Sequence, residues 1–186
     1  MLQKRLLIQL VAIAGFTLLA CHAAAQDSDD TGSPALKESL KFFAPYEGTW
    51  EIDGEWTAGG SIWARNEYMT GMNGNFFTAR TWSRTEAGKV YQRYETTWRI
   101  NPENERLQSY GFTYDGTVTI TESEIDNSAS GHPVIRARWQ ADSESPHIKQ
   151  EVQMNEDETS YQWRVWSSPD GDNWTQIMDG VWKKIE

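Results

Sequence analysis

Residues 48–56 read Gly-Thr-Trp-Glu-Ile-Asp-Gly-Glu-Trp, and this stretch decides the fold. From here the apolar Trp50 and Ile52 alternate with the acidic Glu51 and Asp53. Alternation with a period of two residues is typical of a strand that has one buried face and one wet face. The stretch therefore predicts the first strand of a sheet, with Trp50 pointing into the core.

The residues before this strand predict a short helix. Residues 33–34 are a Ser-Pro pair, which suits an N-cap followed by proline at the first helical position. Pro45 disfavours helical geometry in the residue before it, so the helix should end at or before Ala44. A helix this short needs a surface to cover. Its apolar face would consist of Leu36, Leu40 and Phe43.

The rest of the chain reads as strands separated by turn signals, with no helical pattern long enough for a parallel crossover. Sequential antiparallel hairpins therefore remain. We expect an all-β fold, an antiparallel up-and-down β-barrel of about ten strands with the short N-terminal helix covering one end, because closure removes the exposed strand edges. A two-sheet sandwich is the alternative. The strand-like runs are residues 49–56, 62–70, 75–84, 90–100, 106–114, 117–125, 134–141, 148–154, 160–167 and 174–185.

Residues 1–25 predict an export signal, with a basic start and an apolar run over residues 6–20. That run is shorter than the about 20 residues of a membrane span. Residues 23–25, three alanines, suit ordinary cleavage before Gln26. In the alternative, the residues ending at Cys21 resemble a bacterial lipoprotein box, and Cys21 would carry the lipid. An uncut N-terminal anchor is a third interpretation.

Either cleavage predicts a secreted or periplasmic protein, and lipidation would anchor it to the outer membrane. Residues 26–33 are polar and acidic and predict a disordered linker, which leaves residues 34–186 as the barrel domain. Cys21 is the only cysteine, so the mature domain has no disulfide and must draw its stability from its core.

The charge of the chain narrows the class of partner. Its formal net charge is −10, and losing Lys4 and Arg5 with the signal makes it −12. Such a charge disfavours nucleic acid and anionic membrane surfaces as partners. The 10 Trp, 7 Tyr and 6 Phe residues suit half-buried strands and also suit the lining of a ligand pocket. Nothing in the sequence indicates an oligomeric state.

With Gly-x-Trp at residues 48–50, a preceding short helix, ten meandering strands and a late Lys183-Lys184 pair, the chain resembles the calycin group. This group contains lipocalins, fatty-acid-binding proteins and nitrobindin-like domains, and the layout is most similar to secreted bacterial calycin-like proteins of unknown function. The resemblance implies a barrel floor at Gly48 and Trp50. In lipocalins an Arg near the end of the chain packs over this Trp and closes the barrel floor. Here Lys183 or Lys184 would take the place of that Arg.

Histidine placement bears on the haem that nitrobindin-like domains bind through a late His. The histidines here are His22, His132 and His147, and none lies on the last two strands. We therefore expect no cofactor.

Motifs for catalysis and metal binding are weak. Asp170 and Asp172 lie in a stretch similar to a shortened aspartate-box hairpin, and two carboxylates supply too few of the 6–8 oxygens that calcium takes. We expect a turn there rather than a metal site. No nucleophile-elbow or zinc-protease motif is present, and the acidic residues of the first strand lie on its wet face. We predict no catalytic residues, and an enzyme is the least supported interpretation.

A cation in the third strand predicts a binding site. If Trp50 points into the barrel and the same alternation of faces continues into the third strand, Arg80 and Trp82 lie on the inner face. A cation on an apolar face is costly unless it is paired or serves a ligand. Arg80 with Gln92, Gln150 and nearby tyrosines is then expected to hold a carboxylate, as the resemblance to fatty-acid-binding proteins, which use Arg and Tyr, implies.

Alternatively, Arg80 reaches water at the barrel mouth or pairs with Asp179. The leading hypothesis is binding of a small apolar or amphipathic molecule. A filled barrel that serves as a structural or protein-interaction module is the alternative, because side chains can fill a small barrel completely. The facing of the second, fifth and tenth strands stays open. The aromatic candidates for lining a cavity are Trp82, Tyr94, Trp98, Tyr110, Tyr114, Trp139 and Trp163.

Overall fold

Ten antiparallel strands close into a barrel in the computed structural model, which describes residues 36–127 and 131–186. Each strand pairs with its neighbours in the chain, and β1 closes the barrel against β10. The predicted up-and-down barrel is confirmed, and the sandwich alternative is wrong. The strands are β1 (Gly48–Glu55), β2 (Ser61–Gly71), β3 (Phe76–Arg84), β4 (Val90–Ile100), β5 (Leu107–Thr113), β6 (Val118–Asp126), β7 (Val134–Gln140), β8 (His147–Met154), β9 (Ser160–Ser168) and β10 (Thr175–Lys184).

A 3₁₀ helix over Glu38–Tyr46, called the covering helix below, precedes β1. The expectation that it ends at or before Ala44 is wrong. The backbone N–H of Glu47 donates to the Ala44 carbonyl at 3.2 Å, which closes a turn with Pro45 in second position. Proline suits that position because its φ is preset and no N–H is needed there.

The apolar residues that the sequence predicts are buried, two of them in the covering helix and Leu36 just before it. Leu36, Leu40 and Phe43 are all buried, and the Phe43 ring stacks on Phe77 of β3 at 4.5 Å between centroids. Within the part of the chain that the structure describes, no helix has the length and apolarity needed to cross a membrane. The predicted export signal and linker lie outside the described residues.

The seam between β1 and β10 depends on Gly48. Thr49 N–H donates to the Glu186 carbonyl at 2.9 Å, and Ile185 N–H donates to the Thr49 carbonyl at 2.8 Å. Gly48 has φ of +115°, and a Cβ at this position would collide with the Glu186 carbonyl oxygen. Only glycine combines that backbone angle with the close approach of the C-terminal residues.

The connection between β2 and β3 sets which residues of β3 face inward. It is a short 3₁₀ segment, Met72–Gly74, in which Met72 and Asn73 have left-handed φ values of 47° and 56°. The resulting register pairs Asn66 with Thr81. Because Asn66 pairs with Trp50 and faces inward, the inner face of β3 consists of Phe77, Ala79, Thr81 and Ser83.

Candidate functional site

The end of the lumen beside the covering helix, called the floor half below, is organised around Trp50. Its side chain is 0% exposed, and its indole N–H donates to the Tyr46 carbonyl at 2.6 Å. The Lys184 ammonium lies 5.3 Å from the indole centroid and Lys184 pairs in register with Trp50, whereas Lys183 pairs with Glu51 on the other face. Of the two lysines proposed from the resemblance, Lys184 therefore lies over the Trp.

Aromatic rings fill the floor half. Tyr68 stacks on Phe77 at 5.6 Å, and Tyr161 stacks on Trp182 at 5.7 Å. Trp98 lies 6.2 Å from Phe77 and completes the group on the β4 side. Stacked and edge-to-face rings at these separations attract one another beyond their burial.

A buried polar network crosses this aromatic group. The Asn66 amide nitrogen donates to the hydroxyls of Tyr68 and Tyr161, each at 3.1 Å, and the two hydroxyls lie 3.1 Å apart. Thr81 donates to the Asn66 amide oxygen at 2.7 Å. Burial raises the pKa of Tyr68 and raises that of Tyr161 well above its ordinary value, so both stay neutral at neutral pH.

A cavity of about 100 Å³, called the lumen cavity below, lies next to the aromatic group. It exists because the strands on this side of the barrel place small residues inward. Trp98, Ile135 and Val152 give it an apolar side. The complete lining is Phe43, Tyr46, Tyr68, Thr96, Trp98, Ser109, Ser123, Ile135, Ala137, Gln150 and Val152.

The polar groups of the lumen cavity are only partly satisfied. Gln150 accepts the Trp163 indole N–H at 3.3 Å, so the Gln150 amide donors have no partner among the described residues. Ser109 donates to the Thr121 carbonyl at a long 3.4 Å. Ser123, 7% exposed, makes no side-chain hydrogen bond within the described ranges. The cavity thus offers an apolar wall on one side and donors and acceptors on the other.

Five of the ten proposed ligand-binding residues face the lumen. Trp98 and Gln150 line the lumen cavity. Register with inward-facing partners places the other three, Tyr94, Trp139 and Trp163, on the inner face nearer the far end. Ligand binding by these residues stays a prediction.

Arg80 faces outward, and the expectation that it lies on the inner face is wrong. It pairs in register with Glu67 and Glu95, and its Nε lies 3.2 Å from a Glu95 carboxylate oxygen on the outer surface. Trp82, two residues on, shares that outer face opposite Arg65. The cause is the Met72–Gly74 connection. Its two left-handed residues determine which residues of β3 face inward, and counting alternate residues from β1 does not show this.

The other three candidates also leave the lumen. Tyr94 pairs with the inward-facing Thr81, whereas Gln92 pairs with the outward-facing Trp82. A bulge between these two pairs therefore places Gln92 and Tyr94 on opposite faces of β4. Gln92 is exposed on the outside. Tyr110 and Tyr114 lie outside as well, since Tyr110 pairs with the exposed Ile120 and Tyr114 is 72% exposed in the turn after β5. Asp179, the alternative partner of Arg80, lies 3.6 Å from Arg164 instead.

The described histidines lie away from the lumen cavity. His132 is 3.3 Å from a Glu158 carboxylate oxygen in the loops near the covering helix, and His147 begins β8 at the opposite end. His22 and Cys21 are outside the described residues. Across residues 36–127 and 131–186, no three His, Cys, Asp or Glu side chains converge as metal ligands would.

The Asp170 turn is held by the carboxylate of Asp170. That carboxylate accepts the backbone N–H groups of Asp172 at 2.9 Å and Asn173 at 2.8 Å, and the Ser168 hydroxyl at 2.9 Å. These bonds, led by the Asn173 N–H, hold the pKa of Asp170 well below its usual range. Asp170 therefore folds the turn, as the sequence predicts.

Comparison with known proteins adds information on the fold. The barrel is similar to that in the crystal structure of Rv2717c from M. tuberculosis, with a TM-score of 0.56, 14% sequence identity, and coverage of 81% of this chain and 99% of that one. No family model and no curated protein matches the sequence. The likeness supports a β-barrel fold and carries no activity with it.

The sequence interpretation named Trp98 and Gln150 of the lumen cavity but missed its small inward residues, such as Ser109 and Ser123. Ser109 lies between Leu107 and Gly111 on β5, and Ser123 follows Thr121 on β6, so small residues recur with a period of two. That alternation was the available signal. It was obscured because both faces of β5 carry polar and apolar residues.

Proposed function

We propose that this protein binds a small amphipathic molecule inside its barrel. The lumen cavity is the observation that supports the proposal, because it lies within a closed barrel and joins an apolar wall to hydroxyl and amide groups. Ligand sites combine apolar lining with a few convergent polar groups in this way. Ser109, Ser123 and Gln150 are the groups proposed to contact the polar part of the ligand.

The size of the lumen cavity sets the size of the ligand. At about 100 Å³ it is smaller than the about 300–1,000 Å³ of common ligand sites. A dry protein cavity of about 150 Å³ takes up benzene. Because the lumen cavity is smaller than that one, the proposed ligand is at most a single small ring, with phenol as an upper size, and a long-chain fatty acid exceeds the space.

The tyrosines beside the cavity favour a neutral ligand over an anion. Burial raises the pKa of Tyr46 and of Tyr68, both of which line the cavity, so their hydroxyls stay protonated. With Arg80 outside, the described part of the lumen presents no cation to the cavity. A carboxylate buried there would lack a counter-charge, which is costly.

Native mass spectrometry on protein purified from its own envelope tests the proposal, with masses compared before and after denaturation. A co-purifying small neutral molecule would support it. A bare protein that gives no thermal shift with phenol, benzyl alcohol or indole would contradict it and favour the filled barrel.

A matched pair of serine variants identifies the cavity as the binding place. Ser109→Ala removes a hydroxyl from the cavity lining, and Ser83→Ala removes one from a buried position outside the lining. We expect Ser109→Ala to weaken binding of phenol by about 2- to 10-fold, the worth of one hydrogen bond, and Ser83→Ala to leave it unchanged. Equal effects would place the ligand elsewhere.

We also propose that the protein acts outside the cytoplasm, on the strength of the signal in residues 1–25. The intact mass of the envelope-purified protein tests this. A chain beginning at Gln26 indicates ordinary export, and one beginning at an acylated Cys21 indicates a lipid anchor. A full-length mass in the cytoplasmic fraction would contradict export.

A further inference from the structure

The end of the barrel opposite the covering helix carries a second concave surface, called the rim groove below. It has a volume of about 340 Å³ and lies between the β7–β8 hairpin and the turn that joins β9 to β10. It is larger than the lumen cavity and shares no lining residue with it. The lumen cavity and the rim groove are therefore separate sites.

The Asp170 turn builds one wall of the rim groove. The turn is fixed by hydrogen bonds to the Asp170 carboxylate and ends immediately before Trp174. Cations then hold the Trp174 indole against the sheet, with the Arg138 guanidinium 5.7 Å and the Lys149 ammonium 5.2 Å from its ring centroid. A second indole, that of Trp139, also lines the groove. The groove thus has two half-buried aromatic side chains on a rigid frame.

The polar groups of the rim groove carry both signs of charge. Arg138 forms no ion pair, and the Asp172 carboxylate has no hydrogen-bond partner, within the described residues. Gln140, which also lines the groove, donates to the Ser145 carbonyl at 2.8 Å, and its amide oxygen is left as an acceptor. His147 adds a ring that can donate or accept.

We propose that the rim groove binds a neutral saccharide. An anionic ligand would meet Asp172, and a cationic one would meet Arg138. A sugar has no net charge, and its hydroxyls both donate to Asp172 and Gln140 and accept from Arg138. The C–H groups on one face of a pyranose ring pack against the negative face of an indole such as Trp174. The volume of about 340 Å³ accommodates one or two sugar units.

The test is titration calorimetry of the whole exported protein with glucose, galactose, N-acetylglucosamine and their disaccharides. Sodium benzoate and phenylethylamine serve as charged aromatic competitors. We expect at least one sugar to bind with a Kd of about 1 mM, typical of a small solvent-exposed ligand, and more tightly than either competitor. Tighter binding of a charged competitor, or no sugar binding at all, would overturn the proposal.

Variants locate the site. We expect Trp174→Ala and Asp172→Asn each to weaken sugar binding at least about tenfold, a loss of about 1.4 kcal/mol. The matched controls are Trp166→Ala, a Trp outside the groove that also contacts Lys149, and Asp53→Asn on the wet face of β1. Both controls should bind sugar as the wild type does. Loss in the controls, or retention in Asp172→Asn, would contradict the assignment, and Asp172→Asn decides the matter if Trp174→Ala fails to fold.

The lumen and the rim groove are distinguishable by one further variant. Ala137→Leu enlarges a residue that lines the lumen cavity and does not line the rim groove. We expect it to abolish binding of phenol and to leave sugar binding unchanged. Loss of both would show that the rim groove is not an independent site.

Discussion

The two sides of the lumen show how one barrel can be both filled and hollow. Rings from the covering helix and the strand ends close the floor half, and Trp50, Phe77 and Tyr161 are all essentially unexposed. Toward the arc of β4–β7 several inward residues are small, among them Thr96, Ser109 and Ala137. The strands pair continuously around the barrel, so the volume of the inward side chains decides where space remains.

The space around two glycines, Gly180 of β10 and Gly54 of β1, shows the same difference in packing. A Cβ on Gly180 of β10 would lie 2.6 Å from Ile52 Cδ1 and 3.2 Å from Met178 Sδ. A Cβ on Gly54, at the far end of β1, would meet nothing within 4 Å. The barrel is thus fully packed around Ile52, whereas two residues further along β1, at Gly54, there is open space.

Replacing Trp50 should have the largest effect. Trp50→Ala removes a fully buried indole and its bond to the Tyr46 carbonyl, so we expect a loss of about 3–5 kcal/mol in the free energy of unfolding. Urea denaturation measures it. The matched control is Trp63→Ala on the outer face under Arg84, which should cost less than half as much. Equal losses would mean that the floor half is no more tightly packed than the surface.

The glycine pair tests packing directly. Gly180→Ala should destabilise the protein by about 1 kcal/mol, because the new methyl group overlaps the ends of the Ile52 and Met178 side chains, which must shift within the packed interior. Gly54→Ala should be neutral or slightly stabilising, by up to about 1 kcal/mol, since it restricts the unfolded chain without a clash. Thermal unfolding separates the two, and a similar loss in both would refute the contrast in packing.

The buried tyrosines predict alkaline instability. Their raised pKa values mean that folding holds protons which the unfolded chain releases above about pH 10. Stability is therefore fully present below that pH. Above it, stability falls by about 1.4 kcal/mol per pH unit for each tyrosine that stays protonated.

Removing one of these tyrosines should flatten that fall. Tyr161→Phe is expected to cost about 1 kcal/mol at neutral pH through its lost hydrogen bonds, and to reduce the slope above about pH 10. Urea midpoints across that range measure both quantities. Tyr114→Phe, at an exposed turn, is the control and should leave the slope unchanged. The idea fails if the two variants behave alike.

Replacing Arg80 should have the smallest effect. Its ion pair with Glu95 lies on the outer surface, with both side chains more than a third exposed, so Arg80→Ala should cost below about 1 kcal/mol. Binding of phenol should not change. If Arg80→Ala loses binding of phenol in calorimetry, Arg80 takes part in the binding site. That result would contradict the outward facing of Arg80 on β3.

Local patterns predicted the strands, whereas long-range geometry decided the site. Alternation and turn residues were enough for ten strands in meander order, because each signal lies within a few residues. The facing of Arg80 depended on two left-handed residues in the Met72–Gly74 connection, and that of Gln92 on a bulge. The left-handed residues and the bulge do not change the hydrophobic periodicity of the sequence. The inner face of β3 and the first residues of β4 were therefore misassigned.

The buried network shows the same limit. Asn66 and Tyr161 are 95 residues apart in sequence, and only the closed barrel brings them together. The floor was more accessible to prediction because its cation lies at the end of the last strand, beside the first. The resemblance to calycins pointed to Lys183 or Lys184, and the register of β10 placed Lys184 over Trp50.

A size series measured by titration calorimetry tests the hollow side of the lumen most directly. Phenol, indole, 2-naphthol and a long-chain fatty acid would each be titrated into the wild type and into Ala137→Leu. With a cavity of about 100 Å³, the wild type should bind phenol most tightly and the fatty acid not at all, and Ala137→Leu should bind none of them. Tightest binding of the fatty acid, or phenol binding that survives Ala137→Leu, would contradict binding in the lumen cavity.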